Sequence, residues 1–187
     1  SLDQIRGILS QAKETGTIES IIFEGGEPFL YYPILLQAVR EAKQLDFEVG
    51  LVSNGYWAHS VNDAIEWLKP FAGLLSDLSI SSDLYHYGEP QSSQVVNARA
   101  AADRLGIPIG LISVAQPATD ATTSIGQLPG GESKVMYRGR AAAKLTALAP
   151  HIDWSDFNGC VHEDLREPGR VHVDPLGNVH ICQGIVI

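Results

Sequence analysis

Glu24-Gly25-Gly26-Glu27-Pro28 places a carboxylate on each side of a glycine pair. Two adjacent glycines let a backbone carbonyl approach a ligand with no Cβ in the way. The Glu27 carboxylate beside them can accept a charge-assisted hydrogen bond from an ammonium group. The same residues also suit a plain turn carrying a surface acid. Ser53-Asn54-Gly55, Ser81-Ser82-Asp83 and Ala115-Gln116 likewise follow β-rich runs, with Tyr85-His86-Tyr87 just beyond the second of them. Taken as acid–base or metal groups, Glu24, Glu27, Asp83 and His86 make one enzyme reading. A second cluster lies near the end of the chain. Cys160 and Cys182 enclose His162, His172 and His180, and thiolates with imidazoles are zinc-binding chemistry. Two ordinary free cysteines are the competing reading.

The elements that position these residues recur as a strand–helix unit. β-rich runs fall at Ser20–Glu24, Glu48–Ser53, Leu78–Ser82 and Ile107–Val114. Leu2, Ile5, Leu9 and Ala12 share a helix face that Gly16 terminates, and Leu35, Ala38, Val39, Ala42 and Leu45 form a second stripe entered at Pro33. Ser60 with Asp63 reads as an N-cap and first-turn acid, and a fourth helix runs from about Pro90 to Leu105 before Gly106. Strands that alternate with helices pair in parallel, because a parallel neighbour needs a crossover. Parallel strands deliver their carboxyl ends to one edge, so the polar strand exits should line one mouth. Periodicity leaves a doubly wound sheet and a (β/α) barrel both open. The Thr-, Ser- and Gly-rich stretch from Pro117 to Gly131 reads as a long loop. Arg170–Asp174 and Asn178–Cys182 alternate like two strands of a hairpin around Pro175-Leu176-Gly177.

Composition narrows the function classes. The chain has 187 residues, 44% of them hydrophobic, which suffices for one core and a small appendage. A formal net charge of −9 argues against nucleic acid as a partner, since phosphate binding relies on clustered Lys and Arg. No apolar run reaches the ~20 residues that span a bilayer, so no membrane partner is expected. Two cysteines are too few for a disulfide framework and point to a reduced, cytoplasmic setting. The opening SLDQIRG has none of the features of a signal peptide and reads as the interior of a longer chain.

Ile22-Phe23-Glu24-Gly25-Gly26-Glu27-Pro28, a strand ending in Gly-Gly-Glu-Pro ahead of a helix, resembles the second-strand motif of the radical S-adenosylmethionine (SAM) superfamily. Ser53-Asn54-Gly55 looks like that family's Thr-Asn-Gly at strand three, and Ile80-Ser81-Ser82-Asp83 like its Ile-Ser-x-Asp at strand four. Arg138-Gly139-Arg140-Ala141 resembles a Gly-Arg-Ala element found late in some of its barrels. The resemblance implies a partial (β/α) TIM-like barrel over residues 1–150, with a cysteine-containing β extension over 151–187. It further implies a SAM site lined by Gly25, Gly26, Glu27, Asn54, Ser81, Asp83 and Arg140. Glu27 would meet the SAM amino group and Ser81 its ribose. An intact enzyme of this type cleaves SAM reductively to a 5′-deoxyadenosyl radical that abstracts hydrogen from a substrate.

One departure bears on activity. The family's Cys-x3-Cys-x2-Cys loop, which holds a 4Fe–4S cluster, has no counterpart among the two cysteines of this chain. The chain is therefore expected to be the middle and C-terminal part of such an enzyme, inactive alone and without the catalytic cluster. Cys160, Gly177 and Cys182 resemble the opening of the SPASM or twitch extension, which implies an auxiliary iron–sulfur site and a peptide substrate; zinc is the alternative metal. The other functional reading is a non-catalytic binding module on the same barrel.

Overall fold

The computed structural model describes residues 1–82, 92–114, 132–133, 135, 137, 139–149, 153–156, 164–182 and 185–187. Helix α1 (Leu2–Thr15) begins at a capping box in which the Ser1 hydroxyl accepts from the Gln4 amide. It ends where Gly16 turns left-handed at φ 70°. Strand β1 (Ser20–Phe23) leads into a 3₁₀ turn over Pro28–Tyr31, and then into α2 (Tyr32–Gln44), with Pro33 in its first turn. Strand β2 (Glu48–Ser53) is followed by α3 (Val61–Leu68), whose Asp63 amide is capped by the Ser60 hydroxyl. Then come β3 (Asp77–Ser81), α4 (Ser93–Leu105) and β4 (Ile109–Val114). Ser92 caps α4, and Gly106 closes it in the left-handed region. The 3₁₀ turn is not foreseen from periodicity: four residues are too few to show one.

β1, β2, β3 and β4 pair in parallel and in sequence order, with Phe23 opposite Leu51, Ser53 opposite Ile80, and Ile80 opposite Leu111. A short β5 (Glu132–Ser133) continues this order against Ser113 and Val114. Sequential order with right-handed crossovers carries the helices to one face. The core lies there, with Val49, Leu51, Leu78 and Ile80 from the sheet packed with Leu9, Val39, Leu68 and Ala98. Val49, Gly50 and Leu51 are buried in succession, Val49 and Leu51 under the helices and Gly50 beside the side chain of Ile22 on the neighbouring strand. The architecture is thus α/β with a parallel sheet, four strands of it longer than a bridge.

Helix α5 (Gly139–Leu145) follows β5, and a separate antiparallel sheet contains β6 (His172–Val173), β7 (Val179–Cys182) and β8 (Ile185–Val186). The expected hairpin is present, with His172 opposite His180 and Val173 opposite Val179. β8 is not anticipated by the sequence pattern. β6 lacks Arg170 and Val171 at its far end, and at the turn the strands stop short of Asp174 and Asn178, where the Asp174 side chain takes over the bonding. Its carboxylate accepts from the Leu176 and Asn178 amides at 2.8 and 2.9 Å and from Asn178 Nδ2 at 2.8 Å, while Gly177 adopts φ 92°. Among the described residues no helix is long and apolar enough to cross a membrane.

Candidate functional site

The carboxyl ends of β1 and β2 are joined by side chains as well as by the ladder. Glu27 is 8% exposed, and its carboxylate faces inward. Oε1 accepts from the Phe29 amide at 3.1 Å and from the Ser53 hydroxyl at 2.9 Å, and Oε2 accepts from the Asn54 amide at 2.7 Å. Ser53 is itself saturated: its Oγ also accepts from the Gly55 amide and from Trp57 Nε1, both at 3.0 Å. One carboxylate thereby caps the 3₁₀ turn after β1 and ties it to the exit of β2. The aromatic rings repeat the connection. Phe29 and Trp57, each about 1% exposed, lie 4.9 Å apart between ring centres, and Phe71 packs on Phe29 at 5.6 Å. Such pairs add ~0.5–1.5 kcal/mol each beyond area burial.

Between these fixed points Gly25 and Gly26 turn through the left-handed region at φ 82° and 50°. A Cβ added at either would meet nothing within 4 Å among the described residues, and the backbone conformation is what demands glycine here. Asn54 is part-buried, and its Oδ1 accepts from the Tyr56 amide at 2.9 Å. Burial, and then the nearby Glu27 charge, push the Tyr56 phenol above its ordinary value. Ser81, the last residue of β3, is part-buried and pairs with Ile112 in the sheet register. The Ser82 amide donates to Ile112 O at 2.7 Å. The sheet thus brings the Gly25–Gly26 turn, Glu27, Asn54 and Ser81 to one edge.

The remaining sequence candidates fall elsewhere. Asp83, His86, Arg138 and Cys160 lie outside the described residues, as do His162 and the Tyr85–Tyr87 stretch. Arg140 falls on α5 and Cys182 on β7, with their side chains outside the described set. Among the described residues no three His, Cys, Asp or Glu side chains converge as a metal site. With two cysteines in the sequence, a catalytic 4Fe–4S cluster does not fit this chain's own residues.

Two features are not legible in the sequence. Glu27 is already engaged by three donors of the protein, where the sequence offers it as a free acceptor. Glu24 meets His172 of β6, with Nδ1 3.1 Å from Oε1. No local signal joins residues so far apart in the chain.

The fold and this edge define an α/β protein with a polar, glycine-bearing mouth at the carboxyl end of a parallel sheet, the usual ligand-binding position in such sheets. Two curated proteins are similar to it. The putative peptide biosynthesis protein YydG of Bacillus subtilis (strain 168) is 32% identical over 96 residues, which cover 51% of this chain and 30% of that protein. An S-adenosylmethionine-dependent nucleotide dehydratase of Fibrobacter sp. (strain UWH6) is 30% identical over 92 residues, covering 46% of this chain and 25% of the enzyme. The chain thus matches less than a third of the length of these relatives. No protein-family model matches it.

Proposed function

We propose that this chain is the SAM-binding part of a radical SAM enzyme, and that SAM occupies the mouth at the carboxyl ends of β1–β3. The observation that carries the reading is the junction of Glu27 with Ser53 and Asn54 around the left-handed Gly25–Gly26 turn. It fixes two strand exits together while leaving open space beside both glycines. The similarity to an S-adenosylmethionine-dependent enzyme supports the choice of ligand.

In this reading the Gly25 and Gly26 carbonyls accept from the SAM ammonium. Glu27 contributes chiefly by holding the turn, and its Oε2, which has one donor among the described residues, has a further lone pair for a second. The Ser81 hydroxyl serves the ribose, and Asp83 and Arg140 are further contacts of the same site. The cluster that reduces SAM would draw its ligands from outside this chain, and Cys160 with Cys182 would contribute to an auxiliary iron–sulfur or zinc site. A peptide substrate is proposed by analogy with YydG, whose name states a role in peptide biosynthesis. We place residues 1–150 in a partial (β/α) barrel and 151–187 in a β extension, in a cytoplasmic protein.

Amide chemical shifts of the labelled chain, titrated with millimolar SAM, test the reading. Gly25, Gly26, Asn54 and Ser81 should move together and saturate. After anaerobic incubation with iron and sulfide the same chain should form no stoichiometric 4Fe–4S absorbance and release no 5′-deoxyadenosine. Shifts confined to other surfaces, or no shifts, would refute the SAM site.

A further inference from the structure

The Gly25–Gly26 turn has a structural weakness. Glycine populates both signs of φ and loses more freedom on ordering than any other residue. Among the described residues nothing lies within 4 Å of the Cβ position of either glycine, so none of their side chains holds the turn by packing there. Its conformation is therefore set from its two ends. Glu27 anchors one end through Ser53 and Asn54. At the other end stands Glu24, whose carboxylate meets His172 at 3.1 Å.

His172 reaches this point from a braced arm. It lies opposite His180 in the hairpin, and His180 Nε2 is 3.3 Å from Asp174 Oδ2. Asp174 also accepts from Leu176 and Asn178, and its own amide donates to Asn178 O at 3.0 Å. The side chain of His172 is 20% exposed and that of Glu24 39%, so the contact is partly shielded from water. With a proton on Nδ1, the imidazole donates to the carboxylate whether the ring is neutral or charged. The opposite tautomer would set two acceptors face to face.

We propose that His172 is a positioning residue which, through Glu24, holds the Gly25–Gly26 turn in its ligand-binding shape. The C-terminal hairpin is then a working part of the mouth. The identity of the ligand rests on the SAM reading above, whereas the positioning role does not.

Backbone amide order parameters at Gly25 and Gly26, from nitrogen-15 relaxation, test it without any ligand. His172→Ala and Glu24→Ala should each lower the Gly25 and Gly26 order parameters, from about 0.85 to below about 0.6. The double variant should be no more mobile there than either single one. His172→Gln, whose side-chain amide can still donate, should stay near wild type. The Gly177 and Asn178 amides, both bonded to Asp174, should be unchanged throughout, as the sign that the hairpin is intact. If His172→Ala disturbs those two amides, Glu24→Ala alone decides the matter, since it leaves the hairpin sequence untouched. Unaltered order parameters at Gly25 and Gly26 in Glu24→Ala, or additive effects in the double variant, would overturn the proposal. Coupling in a chain that ignores SAM would uphold His172 and sink the ligand reading instead.

Discussion

Replacing Glu27 by Gln exchanges one oxygen for an NH2 group with almost no change of shape, which makes the consequence calculable. The carboxylate accepts three hydrogen bonds, two at Oε1 and one at Oε2. A glutamine can accept through one oxygen only. With that oxygen at the Oε1 position, the Phe29 and Ser53 bonds survive and the new NH2 faces the Asn54 N–H, donor against donor. The reverse flip loses two bonds and turns the NH2 toward Ser53 Oγ, which already accepts from Gly55 and Trp57. The first arrangement therefore wins, at the cost of one hydrogen bond to a charged group, about 1.5–3 kcal/mol. For a chain of this size that corresponds to a fall of about 3–12 °C in Tm. Glu27→Ala strands all three donors and should cost about 3–5 kcal/mol. Thermal unfolding by circular dichroism measures both, and Trp57 fluorescence should shift with them, since its indole N–H bonds to Ser53. If Glu27→Gln unfolded at the wild-type temperature, the inward-facing carboxylate network would be wrong and Glu27 would be free to act only on ligand.

Gly26→Ala places a Cβ in open space, so its cost should be that of the left-handed conformation alone, about 1–2 kcal/mol by urea unfolding; a much larger loss would mean the turn is crowded after all. The Asp174 carboxyl is held down to about 2, chiefly by the Asn178 side-chain hydrogen bond and despite burial acting the other way. A carboxyl lowered on folding stabilises above its ordinary pKa and loses that contribution as pH falls toward about 2. The Gly177 and Asn178 amides should accordingly lose exchange protection as the pH falls from about 5 toward about 2. Asp174→Asn should show weaker protection with no such slope, and a slope retained in that variant would assign it to another group.

The local features of this chain are legible in its sequence because their causes are local. Gly16 and Gly106 end helices because only a residue without Cβ enters the left-handed region cheaply, and Ser60 caps α3 through a contact three residues away. Alternating apolar runs and helical stripes require parallel pairing, and pairing in sequence order puts Gly25, Gly26, Asn54 and Ser81 at one edge on pattern alone. What the tertiary structure decides is how the side chains at that edge are used. Glu27 reads in sequence as an acid beside a glycine turn, facing ligand or solvent. It becomes an internal clamp because β2 brings the Ser53 hydroxyl to 2.9 Å and the Asn54 amide to 2.7 Å from it. The Glu24–His172 contact is beyond the sequence altogether. It depends on a hairpin near the end of the chain folding back to the first strand, and no periodicity or spacing encodes which of the three histidines between the two cysteines makes that contact.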